Sequence, residues 1–444
     1  MTKAPYPTLR IRLFLLGYAL LWVLALPAIL LYIRRRARKD ADYGTHLGER
    51  FGRSHGRLPD SVWIHAVSLG EMRSATPLIR ALLDRGERVV TTHFTPAGRR
   101  EAAAVFAREI AEGRLVPVWV PFEFDFAYRR FFNAYRPRYG LVMEIEIWPR
   151  MIASAHRHGV PLFMCNAQYP SKSLARDARH LPIRAAMMTG FAGALVKSDL
   201  QRARFESVGV TNIAVTGELR FEQPVPQALV EKGLALRRWF RAEHRPVFAF
   251  ASVVEGEDAI FLAAIHAARA EHHAAGLPAP LVLYIPRAPE RFGAVADLIR
   301  ADGLAFARRS EILGPDLSAE GVPPTIDVLL CDSLGEMYAW LAMADRVSVG
   351  GGFTPKGSHN ISEPLTLRKP VMVGPDIHTI EYPAKEAIAA GVCRHLASPG
   401  ELCEALGPHA PLPSRAQIDR FLSEHGGGVD KTLAALPELL AAAR

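Results

Sequence analysis

Val62-Trp63-Ile64-His65-Ala66 runs almost directly into Ser68-Leu69-Gly70-Glu71, and the fold follows from how that junction repeats. The first stretch is short and largely apolar, which predicts a buried strand. From Glu71 to Arg85, Met72, Leu78, Ile79, Leu82 and Leu83 fall on one helical face. The same alternation continues with a strand over Arg88–Thr92 and a helix from about Ala97 to Glu109. Further strands are expected over Leu115–Val120, Tyr139–Met143, Pro161–Cys165, Gly193–Val196 and Ile213–Val215. Gln223-Pro224-Val225-Pro226 breaks the rhythm. A helix over Gln227–Phe240 then opens a second series, with strands over Val247–Ala251, Leu281–Ile285, Val328–Leu330, Arg346–Val349 and Pro370–Val373. Repeated strand–helix units predict an α/β fold with two doubly wound parallel sheets, each covered on both faces. The expected division is 1–42 as an anchor with its basic flank, 43–222 as a first lobe and 223–444 as a second. Helices from Gln417 onward are expected to pack back across the boundary. In such sheets ligands bind outside the carboxyl ends of the strands, so a cleft between the lobes is expected to be lined by the loops after each strand.

The N-terminus has a different character. Leu13 to Ile33 carries no charged residue, about the length that crosses ~30 Å of hydrocarbon as a helix. Tyr18, Trp22 and Tyr32 offer rings for the membrane interface, and Arg34-Arg35-Arg36-Ala37-Arg38-Lys39 follows at once. A basic cluster there favours a cytoplasmic C-terminal flank and attracts anionic headgroups. No small-residue cleavage site follows, which argues against a signal peptide. A tilted or interfacial helix remains an alternative to a spanning one. Residues 1–42 carry a net +6 of the chain's +9. The basic balance is thus a property of the anchor, and no nucleic-acid partner is expected. Cys165, Cys331, Cys393 and Cys403 lie far apart, which excludes a CxxC zinc site and argues against a disulfide framework. The expected location is the inner face of the cytoplasmic membrane.

Four constellations follow expected strands. Ser68 and Glu71 have the spacing of a capping box, and a carboxylate there would also be placed to accept a proton from a hydroxyl. In Met143-Glu144-Ile145-Glu146-Ile147-Trp148-Pro149, Glu144 and Glu146 would share a face if the strand continued; otherwise they are helix-entry acids. Arg287, in Ile285-Pro286-Arg287-Ala288-Pro289, suits a phosphate or is a solvated loop charge. Ser348-Val349-Gly350-Gly351-Gly352-Phe353 ends a strand in glycines, where backbone approaches a ligand closely. A helix starting near Ser358 in Gly357-Ser358-His359-Asn360-Ile361-Ser362-Glu363-Pro364 would offer free N–H groups to phosphate, with Glu363 one turn on toward a ribose. Ser252/Glu255 and Ser333/Glu336 also have capping-box spacing. Neither a Walker nor a Rossmann glycine signature is present, which excludes ATPase and dehydrogenase readings.

Taken in order, the anchor, WIHAVSLGE, Thr95-Pro96-Ala97-Gly98, EIEIWP, Lys197-Ser198-Asp199, Thr216-Gly217-Glu218-Leu219-Arg220-Phe221, PRAPERF and the GGG…SHNISEP region resemble the transferases of 3-deoxy-D-manno-octulosonic acid (Kdo) in lipid A biosynthesis. The resemblance implies a GT-B fold, CMP-Kdo as donor, a lipid A precursor as acceptor, no cofactor and no metal. It implies Glu71 as general base, with Ser68 and Glu144 supporting it on the acceptor side. It implies Arg287, Gly351, Gly352, Ser358, His359, Asn360 and Glu363 around the nucleotide. The chain departs from the family pattern at Val254 and Ala288, where His is usual, at Gln168, where Arg is usual, and at Asp376 in the Gly-Pro-His segment. These departures leave open a related transferase with another sugar or acceptor, or a catalytically weak binding protein at the membrane.

Overall fold

The computed structural model describes residues 6–54 and 56–443. Residues 1–5 of the expected anchor segment, Lys3 among them, His55 of the first lobe and Arg444 at the end of the second lie outside the described residues. The chain packs as two compact units, 1–223 together with 426–444, and 224–425.

Unit 1 contains seven strands: β1 (Val62–His65), β2 (Val89–His93), β3 (Leu115–Trp119), β4 (Tyr139–Met143), β5 (Leu162–Ala167), β6 (Gly193–Val196) and β7 (Ile213–Val215). They form one parallel sheet in the order β3-β2-β1-β4-β5-β6-β7. Successive side chains alternate faces. Val62 and Ile64 join one core, shared with Met72, Leu78 and Leu82, while Trp63 joins the other, with Tyr128, Phe131 and Phe132. The close fit of Trp63 needs Gly140 beside it, because a Cβ there would sit 3.1 Å from the indole and 2.5 Å from Leu162.

Unit 2 repeats the plan with β8 (Val247–Val253), β9 (Leu281–Pro286), β10 (Phe306–Arg308), β11 (Val328–Leu330), β12 (Arg346–Val349), β13 (Val371–Val373) and β14 (Cys393–His395), ordered β10-β11-β9-β8-β12-β13-β14. The short strands β10 and β14 were not apparent from the sequence, since Arg308 in one and Arg394 and His395 in the other interrupt any apolar run. The expected helix over 97–109 is two helices, Pro96–Val105 and Ala107–Ala111, because Phe106 leaves helical geometry to bury its ring.

The anchor sequence forms one helix, α1 (Leu9–Ala37), the one described helix long and apolar enough to cross a membrane. It packs on unit 1 along one face. Ile11, Leu15 and Ile33 are buried, the Trp22 ring meets Phe122 and Phe124, and Arg150 donates to the Leu15 carbonyl at 2.7 Å. On the other face Leu9, Leu13, Leu16, Leu20 and Leu24 are bare. Two further helices position the site. α2 (Leu69–Asp84) follows β1. α3 (Gly428–Ala442), the last helix, belongs to unit 1 rather than to the unit preceding it in sequence. Val429, Leu433, Leu436 and Leu439 of α3 join the α2 side of the core, Val429 N–H donates to Glu222 and Asn212 donates to the Leu439 carbonyl.

A chain truncated after His425 should therefore lose protection in unit 1 alone. Limited proteolysis is expected to cleave within residues 45–223 while 224–425 resists; equal resistance of unit 1 with and without α3 would contradict this packing.

Candidate active site

Each sheet reverses its winding beside its first strand, between β1 and β4 in unit 1 and between β8 and β12 in unit 2. Ligands in doubly wound sheets bind at such switch points, and the candidate residues fall there in both units.

In unit 1, Ser68 caps α2 with extended backbone. Its Oγ accepts from Glu71 N–H at 3.3 Å, and Glu71 Oε2 accepts from Ser68 N–H at 2.7 Å, a complete capping box. The structural reading of this pair thus holds, and the carboxylate is also buried. Burial pushes the Glu71 pKa up to about 7; the Glu146 and Glu144 charges add to this, and the bonds from Ser68 oppose it. The folded state therefore binds this proton more tightly than the unfolded chain, so ionising Glu71 costs stability as pH rises from the ordinary carboxylate range to about 7.

Glu144 and Glu146 do not share a strand face. β4 ends at Met143, and Glu144 turns into the left-handed region at φ 57°. Its carboxylate turns toward Lys197 at 3.1 Å and Arg220 at 3.3 Å. Lys197 also pairs with Glu218 at 3.0 Å, Asn166 donates to Glu218 at 2.9 Å, and the Arg220 Nε donates to Ser74 on α2 at 3.0 Å. Lys197 and Glu218 are buried. Burial by itself would raise the Glu218 pKa, but Lys197 and Arg220 outweigh it and hold the carboxylate ionised. Two acids and two bases thus form a balanced ionic floor at the strand ends, joined to α2 through Ser74. Glu146 goes another way, accepting from the Trp148 indole at 2.7 Å, and burial raises its pKa. Lys197, Glu218, Arg220 and Asn166 had no assigned role from sequence; the available signal was an ionisable or amide side chain at a strand end. His65 and His93 are fully buried, and burial depresses both to about 3, so they are neutral packing groups.

In unit 2, the glycines are packing requirements. A Cβ on Gly350 would lie 2.6 Å from the Ser252 carbonyl, on Gly351 2.2 Å from the Gly357 carbonyl, and on Gly352 2.4 Å from Ser358 Oγ. Gly351 also sits at φ +97°. Most N–H groups of this loop are already engaged, that of Gly350 by the Ala251 carbonyl. The buried Glu257 carboxylate accepts from Gly351 at 2.7 Å, Phe353 at 3.1 Å and Val254 at 3.1 Å. Nor does a helix start near Ser358. It begins at Ser362 and lasts five residues. Ser358 N–H donates to the Asp376 carbonyl, His359 N–H to the Gly350 carbonyl, and the Asn360 side chain accepts from Ser362 N–H. The expected row of free backbone donors at 358–359 is thus consumed by the loop itself. Ser252 and Glu255 form no capping box, since the following helix starts at Asp258; Glu336 pairs with Arg309 and accepts from the Ser333 hydroxyl, but the helix after it starts at Met337 without a side-chain cap.

Side chains supply what the backbone does not. Among the described residues, His359 Nε2 and Ser362 Oγ are buried without hydrogen-bond partners. Arg287 is exposed, and its N–H is tied to the Val253 carbonyl at 2.9 Å. Burial, then the charges of Arg287 and Lys356, lower the His359 pKa, which places those two cations within electrostatic reach of the ring. Val254 is buried, and Asp376 pairs with His378. Glu363 is half-buried in the first turn of the short helix. Among the described residues, no three His, Cys, Asp or Glu side chains are disposed to hold a metal ion.

Solved structures share this two-unit fold. UDP-GlcNAc 2-epimerase from Neisseria meningitidis superposes with TM-score 0.55 at 13% identity, over 86% of this chain and 99% of that one. A glycosyltransferase from Rickettsia africae gives TM-score 0.55 at 10% identity, over 87% and 99%. Residues 45–223 match the family model of 3-deoxy-D-manno-octulosonic-acid transferase (kdotransferase). The 3-deoxy-D-manno-octulosonic acid transferase of Bordetella pertussis is 40% identical over 93% of this chain and 96% of its own length. That of Haemophilus influenzae is 30% identical over 82% and 83%. A pair of doubly wound units with these relatives defines a glycosyltransferase of the GT-B class. Within that class the chain belongs to the Kdo transferase family.

Two outcomes follow from this geometry. Glu146→Gln removes a neighbouring negative charge, so the pH at which Glu71 ionises should fall, and the acidic limb of the kcat/KM profile should move to lower pH; an unmoved limb would disconnect the two carboxylates. Glu257→Ala strands three N–H groups at about 1–3 kcal/mol for each unsatisfied group, so thermal unfolding of unit 2 should occur at clearly lower temperature, with Glu257→Gln intermediate.

Proposed function

We propose that this chain transfers Kdo from CMP-Kdo to a hydroxyl of a lipid A precursor at the inner face of the cytoplasmic membrane, with Glu71 as general base. The observation that carries the reading is the state of Glu71: a buried carboxylate at the switch point of unit 1 whose pKa lies near neutrality, where a base accepts a proton most effectively. Ser68 fixes the carboxylate, and Glu144 belongs to the ionic floor that holds its surroundings. In the reaction, the acceptor oxygen bonds to the anomeric carbon of Kdo as the bond from that carbon to the CMP phosphate oxygen breaks. The hydroxyl proton passes to Glu71, and CMP leaves with the electron pair.

On unit 2, Arg287 and His359 bind the departing phosphate, with Ser358 and Asn360 shaping the loop and Gly351 and Gly352 allowing its close packing. Arg287 supplies the positive charge that the leaving group needs. Glu363 takes the ribose hydroxyls. Because Glu257 engages the Gly351 and Phe353 N–H groups and the loop itself those of Ser358 and His359, side chains carry most of the phosphate recognition in this reading. The anchor helix lies along the bilayer surface, since one of its faces is committed to protein and the other is bare leucine. Arg34–Lys39 add attraction to anionic headgroups.

Purified protein supplied with CMP-Kdo and a lipid A precursor should form the Kdo-bearing product. Glu71→Gln should lower kcat by about 10²–10⁴-fold, the usual share of a general base, while CMP binding persists. CMP binding by the wild type without transfer to any lipid A precursor would overturn the reading.

A further inference from the structure

Between α1 and the body of unit 1 lies a cavity of about 450 Å³, walled by Trp22, Ile29 and Ile33 of α1 and by Phe94, Phe122 and Trp148. That volume falls within the range of small-ligand sites. Its walls are mostly apolar, with Arg50, Glu146 and the tyrosines Tyr18, Tyr32 and Tyr43 as the polar members. Arg50 lines the cavity with 2% of its surface exposed, its Nε has no hydrogen-bond partner, and no carboxylate pairs with it among the described residues. Its guanidinium stacks 4.3 Å from the Trp119 ring centroid and 5.7 Å from that of Phe94. A buried donor without an acceptor is costly. A ligand with a long apolar chain and an oxygen at one end would satisfy both the walls and the cation.

The neighbourhood identifies that ligand. The helix forming one wall carries bare leucines on its outer face, so the chain's source adjoins the cavity. Glu146 and Trp148 line it too, and both follow β4, the strand beside β1 at the switch point where the α2 cap lies. A second cavity, of about 470 Å³, shares Tyr43, bears Arg36 and Lys39, and reaches Ser68 and Leu69 at the cap of α2. It offers cations to an anionic headgroup beside the candidate base.

We propose that the slot under α1 holds one acyl chain of the lipid acceptor, with Arg50 donating to an oxygen of the linkage between that chain and its sugar headgroup. The anchor helix is then a wall of the acceptor site. This rests on the reading that the acceptor is a lipid, and the test separates the two ideas. Full-length protein in vesicles of phosphatidylethanolamine and phosphatidylglycerol is illuminated with a phosphatidylethanolamine bearing a diazirine at its acyl terminus, and the adducts are mapped. Adducts on the peptides holding Phe94 and Ile147–Trp148 are expected. They should be displaced by acylated lipid A precursor but not by its deacylated form, and Ile29→Trp, which fills the slot, should reduce them about tenfold. Adducts confined to Leu16, Leu20 and Leu24, or insensitive to the acylated precursor, would overturn the proposal.

In steady-state assays, Ile29→Trp and Arg50→Met should raise KM for the acylated precursor about tenfold more than for the deacylated one, a ratio that excluding a few methylenes accounts for. Equal effects on both acceptors would sink the slot while leaving the transferase reading intact. Displaceable adducts without transfer to either acceptor would sink the transferase reading while leaving the slot.

Discussion

Each sheet of this chain reverses its winding at one point, and its candidate chemistry gathers there. Beside β1 and β4, the divergent connections leave a gap at the carboxyl ends of two adjacent strands. The chain fills its rim with Ser68, Glu71, Glu144 and Glu146 and its floor with Lys197, Glu218 and Arg220. Beside β8 and β12, the same gap receives Glu257 and the Gly350–Gly352 loop. Charges that would be unaffordable inside a closed core are tolerated at these rims because backbone ends and counter-charges converge there.

The two rims use charge differently. In unit 1, acids are crowded so that they repel. Glu144 and Glu218 are neutralised by Lys197 and Arg220, whereas burial, helped by the Glu146 and Glu144 charges, lifts Glu71 toward neutrality. In unit 2, one acid organises a loop. Glu257 gathers three N–H groups and leaves Arg287, Lys356 and His359 as the positive and donor groups around it. Val254 and Ala288, two of the positions expected to depart from the family pattern, fall on this second rim. Val254 is a buried apolar residue whose N–H serves Glu257, so the substitution keeps the loop's scaffold. The relatedness to the Bordetella pertussis transferase along nearly the whole chain fits a scaffold kept in full.

The sequence alone determined the strand–helix alternation, the central strands of both sheets, the break at Gln223–Pro226 and the apolar N-terminal helix, because periodicity and proline placement are local properties. The Ser68–Glu71 cap was legible for the same reason: its bonds span three residues. Tertiary structure alone decided the rest. The left-handed turn at Glu144 sends its carboxylate to Lys197, 53 residues away, and no spacing rule reveals that. Glu257 engages the Gly351 and Phe353 N–H groups, 94 and 96 residues on, a pairing that no local pattern in the glycine run reveals. α3 closes the unit that the chain had left two hundred residues earlier, and α1 turns one apolar face to protein and the other outward, although its sequence is apolar all round. Local propensity fixes which residues are helix or strand; long-range burial and charge pairing fix which of them meet, and the site is made of those meetings.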